Sequence, residues 1–366
     1  MRPSLAHPEL IVFSDDWGRH PSSSQHLASR WLSTWDVQWV NTVGMRRVHL
    51  SLGDLQRIAS VMGQWLRPSR EEQAPVSILR PRMYPGFRSR WQRRFNARQI
   101  LGAIPPRRST QRVAVTTLPI TADLVGRLDV DRWVYYCVDD FSVWPGVDHA
   151  VMDTMERQLV ARVDAVVCAS QTLVQRMASM GADDVTCLTH GIDLEHWTNV
   201  NPSKSTDAQG GLFWGLIDER MDWTWCQALA RQMPITLVGP RKVSVPTNIT
   251  WQDAVAYDAL PLLAQEASVL VMPYVEAPVT LAMQPLKLLE YLATNKPVVV
   301  RDLPATQPWA DCCDVVDTPD AFVKACVERA QTGLPADQQA ARKRRLPGET
   351  WSEKAKAFEA ILQGNR

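Results

Sequence analysis

The sequence predicts an α/β protein built from two doubly wound parallel sheets, and three observations lead there. Short apolar runs rich in valine, such as 297–300, have the composition of strands buried on both faces of a parallel sheet. Helical patterns fall between most of these runs, so strands alternate with helices. The alternation then restarts after a polar break at 201–211, which holds Pro, Ser, Lys, Thr, Asp and two glycines and is the best linker in the chain. A chain of 366 residues is long enough for two cores. The expected division is 1–200, 201–345 and a last helical segment, 346–366.

Composition sets bounds on function. The net charge is +1, and the composition is that of a globular protein with charge near zero overall. Seven cysteines are scattered, only Cys312 and Cys313 adjoin, and no Cys-x-x-Cys pair occurs. That argues against a zinc ribbon or a disulfide framework and for a reducing cytosol. The chain shows neither a basic-then-apolar leader nor an apolar run near the ~20 residues needed to span a bilayer. It has no phosphate-binding Gly-x-x-x-x-Gly-Lys-Ser/Thr loop and no Gly-x-Gly-x-x-Gly, which counts against NTPase and dehydrogenase chemistry.

In chain order, residues 10–14 form a buried-type strand, followed by the loop Asp15-Asp16-Trp17-Gly18-Arg19-His20. Pro21 and the serines after it open a helix, with serine as N-cap. Strand, loop and helix make the first unit of a doubly wound sheet, and ligands gather at such loops. Further strands are expected at 37–41, 76–79, 113–117, 134–138, 166–169 and 185–189, and after the break at 212–215, 235–238, 269–272, 297–300 and 315–316. A helix is expected over 351–362. The strand at 134–138 ends in Asp139 and Asp140, so at least one carboxylate should point into the crevice at the sheet's carboxyl edge.

The segment 80–112 interrupts the alternation. It holds ten arginines and no acidic residue, with Tyr84, Phe87, Trp91 and Phe95 interleaved. Phe87, Trp91 and Phe95 are four apart, so one helix would carry them as a stripe flanked by Arg90, Arg93 and Arg94. Such a helix suits an anionic membrane interface; nucleic-acid binding and a stripe simply buried in the core are the other readings. Asp129-Val-Asp131 matches a metal-binding Asp-x-Asp in form but precedes a strand instead of following one, and no His/Cys/carboxylate group has metal-ligand spacing.

The most informative stretch is 283–302, MQPLKLLEYLATNKPVVVRD. Leu286, Leu289, Leu292 and Ala293 have helical spacing, Pro285 suits a first turn, and Asn295-Lys296-Pro297 ends the helix. Lys287 adds its charge to the positive helix end, as an anionic ligand requires, and Glu290 one turn later can accept both hydroxyls of a ribose.

This stretch resembles the nucleotide-sugar-binding helix and strand of two-domain (GT-B) glycosyltransferases, nearest to those that build bacterial exopolysaccharides and teichuronic acids. The segments 17–46, 135–197 and 273–302 share the resemblance. It implies two Rossmann-like domains facing each other across a cleft, with the last helix packed back on the first. It also implies that Lys287 meets the donor diphosphate and Glu290 the ribose, with Pro285 and Leu286 beside them. His190-Gly191 resembles the family's cleft loop, and Gly215 with Arg220 its diphosphate loop. Tyr274 would line the base pocket. Many relatives have a glutamate eight positions before the second one, where this chain has Ala282.

Asp139 is the first choice for the catalytic carboxylate, Asp140 the second and Asp16 an outside candidate. Arg19, His20, Arg90, Trp91, Arg93, Arg94 and Phe95 are assigned to the acceptor and membrane side. The expectation is a cytoplasmic enzyme at the inner face of the plasma membrane, without metal, cofactor or nucleic acid. It would move sugar from a UDP- or GDP-sugar to a lipid-linked or polysaccharide acceptor. A nucleotide-sugar epimerase and a non-catalytic nucleotide-sugar or membrane-binding partner remain alternatives.

Overall fold

The structure, a computed structural model, describes residues 7–18, 22–42, 75–144, 146–198 and 210–365. It contains two compact units, one of Met1–Thr189 with Lys354–Arg366, the other of His190–Glu353.

The first unit is built on seven strands: β1 (Glu9–Ser14), β2 (Asp36–Asn41), β3 (Ser77–Leu79), β4 (Arg112–Thr116), β5 (Arg132–Cys137), β6 (Ala165–Cys168) and β7 (Val185–Cys187). Every pairing is parallel, in the order β3-β2-β1-β4-β5-β6-β7. Leu10 to Phe13, Val113 to Val115 and Val134 to Cys137 are almost wholly enclosed, as expected of strands covered on both faces. The order reverses between β1 and β4, which places the switch point at Ser14 and Thr117. At the other edge of the sheet Glu9 and Arg112 form a buried ion pair, 3.0 Å apart and 1% and 2% exposed. The helix Ser23–Trp31 starts behind Ser22, whose side chain accepts from the Gln25 amide.

The helix Trp351–Leu362, from Lys354 onward, completes this unit. Trp31 Nε1 donates to the Ala355 carbonyl at 3.2 Å and Trp35 Nε1 to Glu359 at 2.9 Å. Phe358 meets Trp31 and Tyr136 edge-on, each at 5.2 Å.

The second unit holds β8 (Gly211–Trp214), β9 (Ile235–Val238), β10 (Thr250–Gln252), β11 (Val269–Met272), β12 (Val298–Arg301) and β13 (Asp314–Val316), again all parallel, in the order β10-β9-β8-β11-β12-β13. It begins at His190, ahead of the polar break read as the linker. The reason lies in the chain just before the break, where Ile192 bridges to Thr350 and Trp197 stacks on Trp214 at 5.5 Å. β10 escapes sequence reading because it is three mostly polar residues paired only to β9.

The helix Arg90–Ala103 begins with a capping box, Ser89 and Gln92 bonding reciprocally. It corrects the expected aromatic stripe. Phe87 precedes the cap and is buried, whereas Trp91 and Phe95 face solvent. The inward face is Asn96, Ala97 and Ile100, with Asn96 bonded to the backbone of Tyr84 and Gly86.

Candidate functional site

The second unit gathers most of the sequence-predicted donor residues at the carboxyl ends of its central strands. β8 is followed by Gly215 and β9 by Gly239, with φ of 131° and 142°. A Cβ on Gly239 would lie 2.1 Å from the Gly215 carbonyl oxygen, and one on Gly215 would lie 2.6 Å from Lys287 Nζ. Both positions therefore need glycine for backbone shape, and Gly239 also for space, because its neighbour is backbone whereas that of Gly215 is the movable tip of Lys287. The helix Leu286–Ala293 starts behind Pro285 and turns off at Asn295, whose φ is 59°. Lys287 lies in its first turn, donates to the Tyr274 hydroxyl, and sits 4.3 Å from the centre of the Phe213 ring.

Arg220 also approaches the tyrosine, its guanidinium 5.6 Å from the ring centre. Asp218 holds it at 2.8 and 3.0 Å. Two cations, a glycine turn and a helix start thus share one patch, which is suited to a diphosphate.

Glu290 lies one turn beyond Lys287 and accepts from Trp214 Nε1 at 3.2 Å and from the Tyr257 hydroxyl at 3.4 Å. A carboxylate has about four acceptor positions, so capacity for ribose hydroxyls remains. Burial raises the Glu290 carboxyl above its ordinary range, opposed by the Trp214 hydrogen bond and the Lys287 charge. Trp197 donates to the Tyr257 hydroxyl at 3.2 Å, and the His196 ring stacks on Tyr257 at 4.7 Å. Sequence reasoning missed Gly239, Trp214 and Tyr257. Gly239 was findable, since Val238-Gly239 repeats the strand-then-glycine pattern of Trp214-Gly215.

His190 and Gly191 both lie against Trp351. His190 is buried, its ring 6.3 Å from that of Trp351. The close approach that Gly191 permits is to Trp351, whose Cα would lie 2.9 Å from an added Cβ. Tyr274 is a core residue that presents its hydroxyl to Lys287 instead of a face to a base.

In the first unit, Asp139 and Asp140 follow β5, but they are held differently. Asp140 accepts from the Ser142 amide at 2.9 Å and pairs with Arg176 at 3.2 Å. Arg176 also binds Glu156 at 2.5 Å, and Glu156 accepts from Tyr135 at 2.6 Å. Asp140 is therefore an anchor of its loop. Asp139 is half-buried beside Tyr136, whose phenol is raised by burial, the Asp139 charge adding to it against a Ser23 hydrogen bond. Asp16 is exposed in the loop after β1, its carbonyl accepting from Gln25.

Arg19 and His20 lie outside the described residues. Arg107 pairs with Asp129 and Asp131, which gives those aspartates a structural partner. Arg90 and Arg94 are exposed with Trp91 and Phe95, but Arg93 turns inward to Asp123 at 2.7 Å and Gln158 at 2.6 Å. It leaves the face on which the sequence placed it because an acidic partner on a neighbouring segment captures it.

No protein-family model matches the chain. The chain is 27% identical over 201 residues to the Bacillus subtilis protein TuaH, which carries the name of a teichuronic acid biosynthesis glycosyltransferase. The match covers 48% of this chain and 51% of that one, so the chain spans about half the length of this curated relative. Among solved structures, a sucrose-phosphate synthase from Thermosynechococcus elongatus superposes with a TM-score of 0.68 at 14% identity, covering 98% of this chain and 99% of that one. A trehalose-6-phosphate protein from E. coli bound with UDP-2-fluoro glucose gives 0.67 at 12% identity, covering 97% and 99%. The chain thus carries the GT-B glycosyltransferase fold, two Rossmann-like units on one polypeptide.

Proposed function

We propose that this protein is a glycosyltransferase that takes a sugar from a nucleotide diphosphate sugar. The observation that carries the reading is the patch in which Gly215, Arg220 and Lys287 converge while Glu290 stands one helical turn away. In this reading the two cations neutralise the diphosphate and Glu290 receives the ribose hydroxyls. The UDP sugar held by the trehalose-6-phosphate protein supports a UDP donor, with GDP the alternative base. The role in TuaH's name supports a lipid-linked or polysaccharide acceptor in cell-surface polysaccharide synthesis. The enzyme then works in the cytoplasm as a peripheral protein on the inner face of the plasma membrane, without a required metal or cofactor.

Asp139 is assigned the reacting carboxylate. It takes the acceptor hydroxyl proton in an inverting transfer, or stabilises the oxocarbenium-like state in a retaining one. Asp140 positions the loop through Arg176, and Ala282 removes a carboxylate from the donor side. Calorimetric titration of UDP, GDP and their sugars into the wild type and Lys287→Ala tests the donor site. Equal affinity in both proteins would refute the assignment. Interconversion of the donor sugar without any acceptor would identify an epimerase instead.

A further inference from the structure

The helix Arg90–Ala103 presents a solvent face that ordinary surface helices lack. At 100° per residue, Arg90, Arg94, Arg98, Trp91 and Phe95 fall within an arc of about 140°. All five are exposed, Trp91 by 58% and Phe95 by 41%. Tyr84, 39% exposed, packs edge-on against Trp91 at 5.1 Å and extends the aromatic area. The opposite face of the helix, Asn96, Ala97 and Ile100, is the one fixed to the unit. The outward aromatics therefore do not serve the core.

The ten arginines of 80–112 divide in the same sense. Arg88, Arg93, Arg107, Arg108 and Arg112 pair with carboxylates of the unit. Arg80, Arg82, Arg90, Arg94 and Arg98 point to solvent. We infer that this face docks the protein onto a bilayer rich in anionic lipid, with Trp91 and Phe95 entering the headgroup region and Arg90, Arg94 and Arg98 meeting the lipid phosphates. A cationic helix face with aromatic side chains is the chemistry that an anionic interface selects. The inference deepens the membrane-side reading above and rests on it for what is met there, whereas the surface itself is read from the helix alone.

Flotation of the full chain with vesicles of phosphatidylglycerol and phosphatidylcholine, against phosphatidylcholine alone, tests the inference. Binding is expected only to the anionic vesicles and falls as salt rises. Each cation near such a surface contributes about fivefold to partitioning, so Arg90→Gln/Arg94→Gln/Arg98→Gln together should lose ~100-fold. Trp91→Ala/Phe95→Ala should lose roughly tenfold, with a loss that persists in high salt. Every substituted side chain is exposed, and unchanged thermal unfolding confirms that the variants are folded. Three results overturn the inference: no flotation with anionic vesicles at low salt, equal binding by the arginine variant, or capture of a single-stranded oligonucleotide in preference to vesicles. UDP titration into the same variants keeps the two proposals apart, because Lys287 lies in the other unit. Retained UDP binding without flotation sinks only the docking surface, whereas flotation without any nucleotide binding sinks only the donor site.

Discussion

The two units repeat one topology and charge its business end in opposite ways. In each, the order runs outward from a central pair, β1 beside β4 in the first and β8 beside β11 in the second, and the carboxyl edge at that pair is where open sheets of this kind place their ligands. In the first unit that edge holds hydroxyls and carboxylates: Ser14 bonds Ser24 at 3.1 Å and Thr117 at 3.0 Å, with Asp16 and Asp139 on adjoining loops. In the second it holds Lys287, Arg220 and a glycine turn. The fold fixes where a ligand goes. In the proposed reading a few loop residues decide which ligand it is, an anion in one unit and a hydroxyl-bearing molecule in the other.

The sharpest way to break this contrast is Asp139→Asn. Turnover should fall by ~10²–10⁴-fold, while nucleotide affinity measured by calorimetry stays at the wild-type value. Asp140→Asn should instead lower the melting temperature more than turnover, since it frees one side of Arg176. A variant Asp139→Asn with normal turnover would hand the chemistry to Asp16.

The next effect concerns the far edge of the first sheet. Burial acts to raise the Glu9 carboxyl, but the Arg112 side chain and the Arg108 and Ser109 amides outweigh it and bring the pKa down to about 2. A depressed carboxyl stabilises the fold above its unfolded value of 4.5, and that contribution is lost as pH falls through about 2. Glu9→Gln leaves Arg112 buried and unpaired, which should cost about 3–5 kcal/mol. Urea unfolding at neutral pH measures it, and the gap between variant and wild type should narrow as pH falls below 4.5 and close near pH 2.

Lys287→Ala sharpens the other side. A charge-assisted contact is worth about 1.5–3 kcal/mol, so nucleotide diphosphate affinity should fall ~10-fold or more. The first unit and its ion pairs should be untouched.

The smallest effect is a pH dependence. Burial raises Glu290, so its proton is held more tightly in the folded protein than in the unfolded chain, and its ionisation lowers stability as pH rises from 4.5 upward. Ribose hydroxyls donate to the ionised form, so nucleotide affinity should increase over the same window. Titrations with Glu290→Gln should lose that part of the slope while keeping whatever belongs to the nucleotide's own phosphates.

Much of this was legible in the sequence for physical reasons. Valine-rich runs have few alternatives to a buried parallel strand, and all seven strands of the first unit fall where strands are expected, although β3 and β7 are only partly buried. The Lys287-Glu290 spacing fixes both side chains on one helix, so their proximity to each other needs no tertiary knowledge. What failed was partner choice across the chain. Nothing near Arg93 reveals that Asp123 will draw it inward, and nothing near Gly191 reveals that Trp351 will press against it. Asp139 and Asp140 are indistinguishable as neighbours until Arg176 claims one of them.

The helix that closes the first unit has a consequence for synthesis. Trp31 and Trp35 reach their partners Ala355 and Glu359 across 324 residues of chain. The second unit, His190–Glu353, is continuous and has all its strands before the last helix is made. As the polypeptide leaves the ribosome, the unit that starts first must finish last, with Trp31 and Tyr136 lacking their cover from Phe358 until then. Nascent chains halted after Glu353 should show a protease-resistant second unit beside a first unit that is still cleaved.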